Sequence, residues 1–112
     1  MATRDVPESD WKVFRDLREL ALDRFCKRVL GEIEPLCRDT ARSHHERFLD
    51  IFDFVLRRNK ELADAFGDPR RSRMIDQLAI MQAHGLLEPH ELARFTANTR
   101  ATIEVLATQV EQ

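Results

Sequence analysis

The chain has 112 residues, with 18 Lys and Arg against 20 Asp and Glu, so no excess of charge draws it as a whole to nucleic acid or to an anionic membrane. Hydrophobic residues make up 43% and charged residues 34%, the balance of a globular chain and not of a disordered one. The 3 glycines and 4 prolines are too few for an all-β or loop-rich fold, and no apolar run approaches the ~18 residues of a membrane span.

Residues 1–8, MATRDVPE, are expected to form a loose tail, and 9–112 a single helical-bundle domain. Ser9 can cap a first helix with Asp10 in its first turn. Trp11, Phe14, Leu17, Ala21, Phe25, Val29 and Ile33 then recur at steps of three or four, the spacing of an amphipathic helix. Pro35 is expected to end or kink it.

Residues 38–42 read as a linker, after which Ser43 and Glu46 have the spacing of a capping box. Phe48, Phe52, Val55, Asn59, Leu62 and Phe66 mark a second helix, and Ile51 and Phe54 widen its apolar stripe. In the Gly67-Asp68-Pro69 corner, Gly67 is expected in a left-handed conformation, Asp68 as a cap and Pro69 in the first turn of a third helix, 69–84. Met74, Ile75, Leu78, Ala79, Ile80, Met81 and Ala83 make that helix apolar around most of its circumference, which places it at the centre of the fold. Gly85 is a helix-ending glycine, Leu86 and Leu87 pack back on the core, and Pro89 starts a short helix, 89–95, with Glu91 reaching back to its free amides. A closing helix over 99–110 presents Ile103, Leu106 and Val110. No segment alternates with period two for long enough to be a strand.

The expected architecture is therefore all-α, an antiparallel bundle of four to five helices. Its expected core holds Trp11, Phe14, Phe25, Val29, Phe48, Phe52, Val55, Leu62, Ile75, Leu78, Leu92, Phe95 and Leu106.

The stretch Leu78-x-x-Met81-x-x-x-Gly85-Leu86-Leu87-x-x-x-Glu91-Leu92 resembles the C-terminal helical hairpin module called SHOCT, a likeness that implies oligomerisation. The chain departs from that module where Glu88-Pro89-His90-Glu91 replaces its usual Thr-x-Glu-Glu start. Over nearly the whole chain, SDWKVFRDLRELALDRFCKRVL, RRSRMIDQLAIM and GLLEPHELARF resemble a group of small, all-helical proteobacterial proteins without an assigned activity. That resemblance supplies no catalytic residue.

The residues speak against several chemistries. His44 and His45 are adjacent, about 100° apart on a helix, and positions 47–49 hold no carboxylate, so a bundle-type metal site is not expected. Cys26 and Cys37 do not form a CxxC pair and read as reduced, partly buried thiols. Neither has an orienting partner or a glycine-rich oxyanion turn beside it, and no phosphate-binding glycine motif occurs. A DNA-reading turn at 83–95 would offer only His90, Glu91 and Arg94.

The best polar feature is the basic cluster Arg57, Arg58, Lys60, Arg70, Arg71 and Arg73. Asp53–Arg57, Arg57–Glu61 and Lys60–Asp64 are spaced to pair along the second helix, which leaves Arg70, Arg71 and Arg73 least matched. Arg57, Arg58, Arg70, Arg71 and Arg73 are the candidate partner-binding residues.

The expected function is a non-enzymatic, cytoplasmic interaction or self-association module. It is expected to form a homodimer, with a protein partner admitted, nucleic acid disfavoured, and no membrane contact, cofactor or metal. An acidic-partner or nucleic-acid binder is the alternative, and a small metal protein or enzyme the third reading.

Overall fold

A computed structural model describes residues 6–111. The tail expected over 1–8 lies outside the described residues as far as position 5. Beyond that, Val6 packs against the core and Glu8 already opens a helix. Helix α1, Glu8–Arg38, buries Asp10, Phe14, Leu17, Ala21 and Phe25, a single stripe at steps of four, three, four and four. Ser9 does not cap it. The first helical turn closes from Trp11 N–H to Pro7 O at 3.1 Å, so the cap position is Pro7, two residues before Ser9. Pro35 neither ends nor breaks α1, which continues to Arg38. The ring falls in the last turn, and the carbonyl it deprives of a partner belongs to Gly31, which is exposed and can be hydrated.

Helix α2, His44–Phe66, starts with the expected capping box. Glu46 N–H donates to Ser43 Oγ at 3.0 Å, and Ser43 N–H to Glu46 Oε1 at 2.9 Å. The next corner differs from expectation. Gly67 is extended (φ −74°, ψ 145°) and Asp68 takes the left-handed conformation (φ 45°). Gly67 is still required, because a Cβ there would lie 2.6 Å from the Ala63 carbonyl oxygen. Pro69 starts no helix. A 3-10 turn, Arg71–Arg73, leads into α3, Met74–Ala83. Six of its ten residues are buried, so the expected central element is central.

Gly85 has φ +69°, as a helix-ending glycine should, and Leu86 and Leu87 are buried beneath it. Helix α4, Pro89–Leu92, is one turn with proline at its start, and α5, Ala97–Glu111, closes the fold. Among the described residues there is no strand.

These elements make two parts of one elongated molecule, 52 × 29 × 24 Å. In the head, α3, α4 and α5 gather around the first half of α1 and the end of α2. Phe14, Phe66 and Phe95 are fully buried there, each contributing about 2–3 kcal/mol of burial. The rest is an arm. Beyond Phe25, α1 has no buried residue, and α2 has none before Ala65. Phe14, Phe25, Ile75, Leu78 and Phe95 are core as expected, and Trp11, Val29, Leu62, Leu92 and Leu106 pack against it partly buried. Phe48, Phe52 and Val55 are not core but exposed, because no third helix reaches the arm. Leu17, Ala65, Phe66, Met74, Met81, Leu86 and Ile103 fill the core instead.

Candidate functional site: the two faces of the arm

Two antiparallel helices can bury only the seam between them. Each arm helix has an apolar stripe wide enough to need cover from more than one side. On one face the seam opens into a groove of about 330 Å³ lined by Phe25, Cys26, Val29, Leu30, Ile33, Val55, Asn59 and Leu62. Leu30 is 64% exposed, Phe48 65% and Phe52 52%, with Leu49, Val55 and Leu56 near half. The groove's lining is almost wholly apolar, Arg58 being its only charged member.

The other seam is charged. Arg58 Nε donates to Glu32 at 3.3 Å, its guanidinium also pairs with Glu61, and it lies 4.9 Å from the centre of the Phe54 ring. Burial alone would weaken the Arg58 charge, but the two carboxylates outweigh it and raise its pKa. Arg28 donates to the His84 carbonyl at 2.6 Å, fastening the arm's base to the head. The arm's tip is fixed as well. Arg42 forks onto Asp50 at 2.8 Å through both contacts, and Arg47 donates to the Cys37 carbonyl at 2.8 Å. A rigid hairpin thus carries one apolar face and one charged face.

The expected basic cluster is dispersed. Arg70 pairs with Asp68 at 2.9 Å, Arg73 with the same carboxylate at 3.8 Å, and Arg71 with Glu8 at 2.7 Å while stacking over Trp11 at 5.2 Å. These three are matched, contrary to expectation. The expected pairs of Asp53, Arg57, Lys60 and Asp64 along α2 are not formed among the described residues, and Arg58 takes Glu61 instead. His44 and His45 are exposed at the start of α2, His90 is exposed on α4, and His84 stands edge-on to Phe25 at 6.5 Å. Among the described residues, no group of three or more His, Cys, Asp or Glu could hold a metal ion. Cys26 is half-buried in the groove and Cys37 is exposed.

Two buried carboxylates are structural centres: Glu91 reaches back to the Glu88 amide as its position in the sequence suggests, while its pairing with Arg24 and the role of Asp10 come only with the fold. Glu91 receives both arms of the Arg24 guanidinium at 2.7 Å and the Glu88 amide at 2.8 Å. The Arg24 hydrogen bonds, against an opposing effect of burial, hold its pKa down to about 2. Asp10, fully buried, accepts from Thr96 N–H at 2.9 Å, Thr96 Oγ1 at 2.8 Å and Thr99 Oγ1 at 2.7 Å. Burial pushes its pKa up, but these hydrogen bonds win and the net shift is downward. A signal for Asp10 existed: it falls in register with Phe14, Leu17, Ala21 and Phe25.

The sequence matches no protein-family profile. It has no significant match among characterised proteins. The fold does have solved counterparts. The Fluorescence Recovery Protein from Synechocystis sp PCC 6803 superposes with a TM-score of 0.78 at 19% identity, over 93% of this chain and 99% of that one. A single-residue variant of the same protein gives the same values. At this identity the likeness establishes the helical fold. No described helix is long and apolar enough to cross a membrane.

Proposed function

We propose that this protein is a non-enzymatic interaction module that self-associates through the apolar face of its arm, as a homodimer. One observation carries the reading. The largest exposed apolar side chains, Leu30, Phe48 and Phe52, gather on a rigid hairpin beside an apolar groove. Together with Leu49, Val55 and Leu56 they leave on the order of 600 Å² of apolar surface, the upper end for a lone soluble protein and close to one partner's share of a standard interface. A second copy is the simplest cover, because an isologous pair uses groove and protruding rings twice. The solved structures of similar fold agree in architecture, and the name Fluorescence Recovery Protein describes that protein's role, not this one's.

Binding of an acidic partner at Arg57, Arg58, Arg70, Arg71 and Arg73 has less support, since four of these five guanidiniums already pair with carboxylates of the same chain. The test is sedimentation of the wild type beside a Phe48→Glu, Phe52→Glu variant. Both rings lie outside the core, so the variant is expected to keep its helical content and lose the dimer. A variant that still sediments as a dimer rules the arm face out.

A further inference from the structure

The head carries a second cleft, away from the arm. The first turns of α1 and the corner between α2 and α3 enclose about 250 Å³, lined by Trp11, Phe14, Arg15, Arg18, Glu19 and Pro69. That is below the roughly 300–1,000 Å³ of small-molecule pockets and suits one side chain at a time. The cleft has an apolar base. Phe14 is fully buried, Trp11 is half-buried against it with ring centres 5.4 Å apart, and Pro69 is exposed at the mouth.

Two guanidiniums on this cleft have no carboxylate among the described residues. Arg18 donates through one terminal nitrogen to the Phe66 carbonyl, and its Nε is buried without a hydrogen-bond partner. Arg15 is exposed and makes no hydrogen bond or ion pair with another described residue. The neighbouring cations are occupied: Arg71 by Glu8 and the Trp11 ring, Arg70 and Arg73 by Asp68. Although the whole chain has a formal charge of -2, cations outnumber acids at this end of the head.

From this arrangement we propose that the cleft docks an acidic segment of a partner protein, one that places a carboxylate beside an apolar side chain. The apolar side chain sits against Trp11 and Pro69, and the carboxylate takes the free guanidinium nitrogens of Arg15 and Arg18, whose planar forks match it. This surface is separate from the apolar face of the arm and does not depend on the dimer. A nucleic acid fits it less well. The Trp11 ring that a base would stack on is already engaged by Phe14 and Arg71, and Glu8, Glu19 and Asp68 interrupt the basic surface that a run of phosphates needs.

Trp11 is the only tryptophan, so its emission reports directly on the cleft. The full chain is titrated at low salt with a short end-capped peptide holding Leu between two Glu residues, followed by fluorescence and calorimetry. A saturable response is expected, weakening as salt is added. Arg15→Gln, an exposed position that leaves the core untouched, is expected to bind roughly fivefold more weakly, while Lys27→Gln, an exposed cation elsewhere on α1, binds as the wild type does. The proposal is overturned by the absence of any saturable response up to millimolar peptide, by equal binding of the same peptide with Gln for Glu, or by equal weakening in the two variants. Binding of inorganic phosphate or of a mixed-sequence single-stranded oligonucleotide as tight as that of the peptide overturns it too.

Discussion

Glu91 shows how a charged residue is made safe inside the head. Its carboxylate meets a guanidinium that cannot lose its charge and satisfies the backbone amide of Glu88 at the start of α4. Because the folded pKa lies near 2 and the ordinary value near 4.5, the folded state favours the ionised form. The resulting stability, on the order of 3 kcal/mol, is present above pH 4.5 and drains away as pH falls toward 2. Glu91→Gln is therefore expected to destabilise the protein at pH 7 by about 2–3 kcal/mol. Denaturant titrations at pH 7 and pH 3 check this, and the gap between wild type and variant should narrow at the lower pH. Gly85 makes a simpler case. A Cβ there would meet nothing within 4 Å, so only the positive φ resists substitution. Gly85→Val is expected to cost about 1 kcal/mol or somewhat more, read as a lower midpoint in the same titration.

At the scale of elements, helical periodicity was legible and what covers each stripe was not. The stripe Phe48, Phe52, Val55, Leu62 correctly marks α2. Amphipathicity says only that a face wants cover, not that this chain supplies it, so Phe48 and Phe52 were assigned to a core they do not enter. The Ser43–Glu46 box, Gly85 and Pro89 were readable because caps and turns depend on neighbours within a few residues. Asp10 with Thr99 and Arg24 with Glu91 were not, since contacts across most of the chain leave no local period. Pro35 misled for a related reason: the penalty for a helical proline depends on which carbonyl it orphans, and here that carbonyl is at an exposed glycine in the arm. Pro35→Ala should restore that hydrogen bond within a helix that already runs to Arg38, raising stability by on the order of 1 kcal/mol. No change in the melting midpoint would mean that the tip of α1 is already frayed.

At the scale of the molecule, head and arm divide the work. The head buries the large side chains around α3, and α1 ties it together through Asp10, Arg18, Arg24 and Arg28, each on a helix end or corner of another element. Their signs fit: the anion sits at the start of α5, and Arg18 and Arg28 sit on the carbonyls that end α2 and α3. The arm carries almost none of the core and most of the exposed large apolar side chains, a distribution that costs solubility unless a partner covers it. Light scattering of the purified wild-type chain during size-exclusion chromatography tests this account most directly. A mass near twice 13.1 kDa is the predicted result, and a mass of 13.1 kDa at micromolar concentration contradicts it.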